Sequence, residues 1–233
     1  ELRRPPVRGT YALIKRLRAL FKQHSVFKQI QEESGRLRAG AYVREPPGGS
    51  RGIITLGGHI HFDYPEGTWT PQTKEEQYDY GLEPMTWYQA PHKDFLPLIQ
   101  SQLSSLEKFV EFLEETEILP HGECALRRRH GYGRGQDVRR NLHSWEYRNF
   151  ASWLVSPEIA FFVLTIAKVI MLYPKESFEI FKKPGKDFLE TLRNFTNQDT
   201  NIARLIEKID IKKLSNQDLE RNVLKAWEKP LEF

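Results

Sequence analysis

From Ile159 to Tyr173 the chain carries 15 residues that are apolar but for Thr165 and Lys168. A membrane-spanning helix needs about 20 uninterrupted apolar residues, so this run is expected to be a core helix of a globular domain. Ser156 supplies a side-chain oxygen to cap its first turn, and Pro157 suits the first helical position, where a backbone N–H has no helical partner. A 233-residue chain with 39% hydrophobic and 12% aromatic content is long enough to bury such a helix in one large domain, or in one with a small appendage.

Other segments fall into place by period. Thr10 is a candidate cap for a helix whose Ile14, Leu17, Leu20 and Phe21 share one face, the other face being basic. From His92 to Glu115 apolar residues recur every three or four positions, among them Leu103, Leu106, Phe109, Val110 and Leu113, which predicts an amphipathic helix. Residues 41–44 and 52–62 suggest a hairpin around Pro46, Pro47, Gly48 and Gly49. Asp63–Pro91, rich in Pro, Gly, Tyr and Trp, suggests a long packed loop. Residues 144–150 suggest a strand, and the chain from Lys175 onward suggests short helices, with Ser215 capping the last.

Three constellations could carry chemistry. In Gly57-Gly58-His59-Ile60-His61-Phe62 the period of two sets both imidazoles on one strand face, where they could bind a divalent metal or donate to phosphate, while the glycines permit close approach of a ligand or of neighbouring backbone. In Trp145-Glu146-Tyr147-Arg148-Asn149-Phe150 the same period predicts that Glu146, Arg148 and Phe150 share a face. A carboxylate for a hard cation beside a guanidinium for an anion suits a metal–phosphate site, and an ordinary ion pair on a solvated sheet is the plainer alternative. Residues 127–140 hold six arginines and three glycines, a density that suits a polyphosphate, a nucleic-acid backbone or solvent.

Read in order, Glu1-Leu2-Arg3-Arg4-Pro5, Gly57–Phe62, Arg129–Arg139 and Trp145–Arg148 resemble the motifs of phage-type carboxylate-amine ligases (amidoligases) of the glutamine-synthetase-like superfamily. The resemblance covers residues 1 to about 165. It implies an α+β fold, a glutamine-synthetase-like antiparallel sheet with helices packed on its outer face, in a catalytic domain over residues 1–174; residues 175–233, which the resemblance does not reach, are expected to form a helical C-terminal extension. It implies an ATP-dependent ligase, using Mg²⁺ or Mn²⁺, that forms an amide or peptide-like bond through an acyl phosphate. Carried over by position, His59 and Glu146 are ligands of one metal and Glu1 of another, and His61 contacts ATP phosphate. Arg129, Arg139 and Arg148 hold phosphates or the substrate carboxylate, Tyr132 and Gly133 shape the pocket, and Arg3 binds substrate or pairs with Glu1. In the family an acidic strand precedes the Glu-x-Arg motif, and the expectation is that residues upstream of Glu1 supply it.

Two other readings remain at this level. A metal-dependent hydrolase could use His59, His61 and Glu146 around an activated water, although it leaves the arginines without a task. A non-catalytic phage or nucleic-acid-associated protein could reuse the fold, with residues 127–140 on phosphates. A formal charge of +4, from 35 basic against 31 acidic residues, does not by itself call for nucleic acid. The single cysteine, Cys124, excludes an intramolecular disulfide and a cysteine-based zinc cage and suits a reducing compartment. No membrane partner or leader is expected. The resemblance implies small-molecule or peptide carboxylates and amines as partners, an oligomer, and a cytoplasmic location, in the host if the protein is phage-encoded.

Overall fold

A computed structural model describes residues 9–23, 25–34, 43–44, 54–55, 58–63, 92–119, 138–140, 144–214 and 223–229. In chain order these form α1 (Thr10–Gln23), α2 (Ser25–Ser34), β1 (Val43–Arg44), β2 (Ile54–Thr55), β3 (Gly58–Asp63), α3 (His92–Glu115), β4 (Val138–Arg140), β5 (Ser144–Phe150), α4 (Pro157–Leu172), α5 (Pro174–Lys182), α6 (Phe188–Phe195), α7 (Thr200–Glu207), a 3₁₀ turn (Ile211–Lys213) and α8 (Val223–Glu228). The described residues are thus a mixture of helix and strand, mostly helical, with small antiparallel sheets. Among them no helix is long and apolar enough to cross a membrane.

The apolar run becomes α4, and the packing explains why it is apolar all round. On one side Phe162, Val163, Ile166 and Ile170 join the main core with α3, β5, α5 and α6. On the other, Ala160 and Phe161 join a second cluster with Ile14 and Phe21 of α1 and Val223, Leu224 and Trp227 of α8. Ser156 caps α4 as its sequence predicts, its Oγ accepting from Ile159 N–H at 3.2 Å. Replacing this cap with alanine is expected to cost about 1 kcal/mol in urea unfolding, with the denaturant slope unchanged.

Helix α3 runs over the predicted residues and buries Ile99, Leu103, Leu106, Phe109 and Leu113 completely. In α1 the expected apolar face holds at Ile14 and Phe21, which are buried, but Thr10 is the first helical residue and not a cap. Gly9 precedes it at φ 91°, a backbone conformation that suits glycine, and its carbonyl accepts from Leu13 N–H at 3.1 Å. The expected boundary after residue 174 falls at the start of α5. Phe181, Phe188, Leu192, Ile202 and Ile206, all beyond it, pack in the same core as Tyr147 and Phe150.

The predicted extended segment 52–62 serves two sheets. Its first part, β2, pairs antiparallel with β1, whereas β3 pairs with β5 in a three-stranded antiparallel sheet of order β3-β5-β4. One face of that sheet (Ile60, Phe62, Trp145, Tyr147 and Phe150) lies on the helical core. Of the expected long loop Asp63–Pro91, the first residue ends β3, and residues 64–91, like Ser215, lie outside the described residues.

Candidate active site

Strand β3 alternates as its sequence predicts: Gly58 and Ile60 are buried, His59 is half-buried and His61 is exposed. The register puts Ile60 opposite Tyr147 and His61 opposite Glu146. Residues directly opposite in an antiparallel pair share a face, so His59, His61, Glu146 and Arg148 lie on the face away from the helical core. Strand β4 adds Arg139, whose register position is opposite Glu146 on the other side of β5.

Phe150 corrects the sequence expectation. The pairing steps from Ile60–Tyr147 to Gly58–Phe150, two residues on β3 against three on β5, so β5 carries a bulge at Arg148-Asn149. A bulge shifts the alternation by one, and Phe150 turns to the core face, where its ring meets Tyr147 at 5.2 Å and Phe109 at 6.0 Å. The signal was in the sequence: Trp145, Tyr147 and Phe150 are spaced two and then three apart, with adjacent polar residues Arg148-Asn149 in the wider gap.

Gly58 explains part of the bulge's tight geometry. A Cβ placed there would lie 2.4 Å from the Ala151 carbonyl oxygen and 2.4 Å from Cδ1 of Trp153. The expected close approach at this glycine is therefore made by the chain's own backbone.

Glu146 is the hub. Its Oε1 lies 2.6 Å from Nδ1 of His59 and 3.9 Å from Nε of Arg148, with the Glu146 side chain 5% exposed. An ionised carboxylate only accepts, so the His59 Nδ1–H donates, and in the neutral ring the lone pair is then on Nε2. Burial pushes the Glu146 carboxyl up, but the His59 hydrogen bond and the charges of His59, His61 and Arg148 more than offset it and hold the group below its ordinary value. Its stabilising contribution is therefore complete above the unfolded carboxyl value of about 4.3 and is lost as pH falls through the lower folded value. The stability gap between wild type and Glu146→Gln, followed by chemical unfolding, is expected to be widest near neutral pH and to close in that acid range.

Ser144 extends the cluster in a way sequence analysis missed. Opposite Asp63 in the register, it brings its Oγ to 3.5 Å from Nδ1 of His61. Spacing could have indicated it, since Ser144 and Glu146 share a face at a period of two.

The structure therefore brings together His59, His61, Glu146 and Arg148 and sets Arg139 at the adjoining register position. Glu1, Arg3, Arg129, Tyr132 and Gly133 lie outside the described residues. Among the described residues no group of three or more His, Cys, Asp or Glu side chains is placed to hold a metal ion. The donor chemistry of the pair that is present nonetheless fits one: a histidine whose second nitrogen is oriented by a carboxylate is the usual form of a metal-binding imidazole, and a hard cation such as Mg²⁺ commonly takes one or two carboxylates and keeps waters.

Comparison with known proteins gives one result of the same kind. Residues 113–182 match the model of the family described as phage phiEco32-like COOH.NH2 ligase-type 2, which supports the resemblance to a phage-type carboxylate-amine ligase. The matched segment runs from the end of α3 to the end of α5 and contains Glu146 and Arg148. No curated protein and no solved structure matches the chain.

Proposed function

Taking the likeness of residues 113–182 to that ligase family as premise, we propose that the chain is an ATP-dependent carboxylate-amine ligase, with the sheet β3-β5-β4 as part of a glutamine-synthetase-like site. The observation that carries this reading is the contact of Glu146 with both His59 and Arg148 on one sheet face, with Glu146 and Arg148 inside the matched segment. It joins a cation-binding pair to an anion-binding group in one place. A site that must bring a carboxylate against a triphosphate requires that combination.

In the proposed reaction a substrate carboxylate oxygen attacks the γ-phosphorus of ATP. The bond from that phosphorus to the β–γ bridging oxygen breaks, and ADP leaves. The amine nitrogen then attacks the acyl carbon, the carbon–oxygen bond to phosphate breaks, and the nitrogen loses a proton. Bound Mg²⁺ would neutralise phosphate charge, and His59 would hold it through Nε2 while Glu146 orients the ring from Nδ1. Arg148 offsets the repulsion between substrate carboxylate and phosphate, a task suited to a planar guanidinium with paired donors. Arg139, from its register position beside Glu146, and Arg129 would share that load. His61 would donate to a phosphate oxygen, and burial of Glu146 keeps these charges in a medium where they act more strongly than in water.

Hydroxylamine tests the acyl phosphate directly, because it can replace the amine and leave a stable hydroxamate. With ATP, Mg²⁺ and a pool of amino acids and short peptides, hydroxamate and ADP are expected in equal amounts, and both are expected to fall at least about 100-fold in Arg148→Ala, as for loss of one transition-state donor. ATP consumption without hydroxamate across the pool would count against the acyl phosphate.

A further inference from the structure

The basic face of α1 takes no part in the site above. Helix α1 contains Lys15, Arg16, Arg18 and Lys22 and no acidic residue. Arg18 is committed to the fold, donating to the backbone carbonyls of Trp227 and Glu228 at 3.4 and 3.2 Å. Lys15 is joined by a cation from a distant part of the chain, Lys208, at the ring of Tyr11. Ile209 packs against the cluster that contains Ile14 and Phe21, which anchors the turn after α7 beside α1.

Tyr11 is the meeting point. The residue is 37% exposed, with the ammonium of Lys15 4.6 Å and that of Lys208 5.8 Å from its ring centroid. Lys15, Lys208, Lys212 and Lys213 are all exposed. Of the acids nearby, Asp210 accepts from the Lys212 backbone N–H, Glu207 pairs with Arg193, and Glu158 shares a small cavity with Lys208 and Lys213. Among these described residues, four lysines stand against three carboxylates.

We propose that the face formed by α1, the end of α7 and the 3₁₀ turn docks single-stranded nucleic acid, with phosphates on Lys15, Lys208 and Lys212 and a base against Tyr11. Ammonium groups are compact point charges suited to following a phosphate backbone. An exposed aromatic ring among them is the other half of a single-strand platform, because every base has a face to stack and an unpaired one can reach the ring. An acidic polypeptide would satisfy the lysines but make no particular use of the ring. This site is separate from the proposed ligase centre and does not depend on it.

The test is fluorescence anisotropy of a labelled oligothymidylate of about 16 nucleotides with the whole chain over a range of salt. Wild type is expected to bind with an affinity that falls steeply with salt. Lys15→Ala/Lys208→Ala/Lys212→Ala is expected to reduce the log–log salt slope by about 2, three contacts at about 0.7 each. Tyr11→Ala is expected to weaken binding about tenfold with the slope unchanged. These positions are exposed, so the wild-type thermal transition should survive. If the triple variant does not fold, Lys208→Ala and Lys212→Ala alone should each lower the slope by about 0.7. Absence of binding by wild type, or an undiminished slope in the lysine variants, would overturn the proposal; the latter result would place binding elsewhere, as on residues 127–140. A neutral Tyr11→Ala, together with competition by polyglutamate as effective as that by unlabelled oligonucleotide, would assign the face to an acidic protein instead and overturn it equally.

Discussion

Phe109→Ala is expected to lower the unfolding free energy by about 4 kcal/mol and the melting temperature by about 12 °C. Phe109 is fully buried, and its ring meets Phe150 of the sheet at 6.0 Å, Phe162 of α4 at 5.7 Å and Phe181 of α5 at 4.9 Å. Truncation removes contacts to three elements at once and leaves a cavity that three rigid rings cannot collapse to fill. Phe109→Leu keeps most of the volume and should cost less than half as much. Urea unfolding of the three proteins measures the series, and a loss below about 1.5 kcal/mol for the alanine variant would mean that the sheet and helices do not share this core.

The second large effect is expected at Gly58. An added methyl group would press on the Ala151 carbonyl and the Trp153 indole, both at 2.4 Å. A side-chain tip could swing away, but the carbonyl belongs to backbone that leaves β5 just after the bulge. Gly58→Ala is therefore expected to cost about 3 kcal/mol, and to displace the edge of β3 that carries His59. Thermal unfolding followed by circular dichroism reads the stability loss. If Gly58→Ala melts with the wild type, the close approach of β3 to residues 151–153 is not as described.

Where a pattern is local, the sequence was enough to read the fold. Helix α3 could be bounded from spacing alone, because one uninterrupted stripe faces one core, and α4 could be bounded from Ser156-Pro157 and its apolar run. Pairing was less accessible. Whether residues 52–62 form one hairpin arm or two short strands in different sheets depends on β5, more than 80 positions away, and no local pattern encodes such a partner. The same holds for the site. That His59 and His61 share a face, and Glu146 and Arg148 share one, follows from the period of two. That the two pairs share the same face, with Arg139 across from Glu146, follows only from the register. The bulge was legible in principle from the spacing of Trp145, Tyr147 and Phe150, but strict alternation hid it. The proposed roles of His59 and Glu146 came from motif resemblance, and what the structure adds is their contact.

The most direct measurement is calorimetric titration of ATP, with and without Mg²⁺, into wild type, His59→Ala and Glu146→Ala, each carrying any residues that precede Glu1. The account predicts Mg²⁺-dependent binding by wild type, weakened at least about tenfold by each substitution, as expected when one group of a metal-binding pair is lost, in proteins whose circular dichroism is unchanged. Absence of ATP binding by wild type, with zinc-dependent hydrolysis in its place, or binding that both substitutions leave intact, would contradict it.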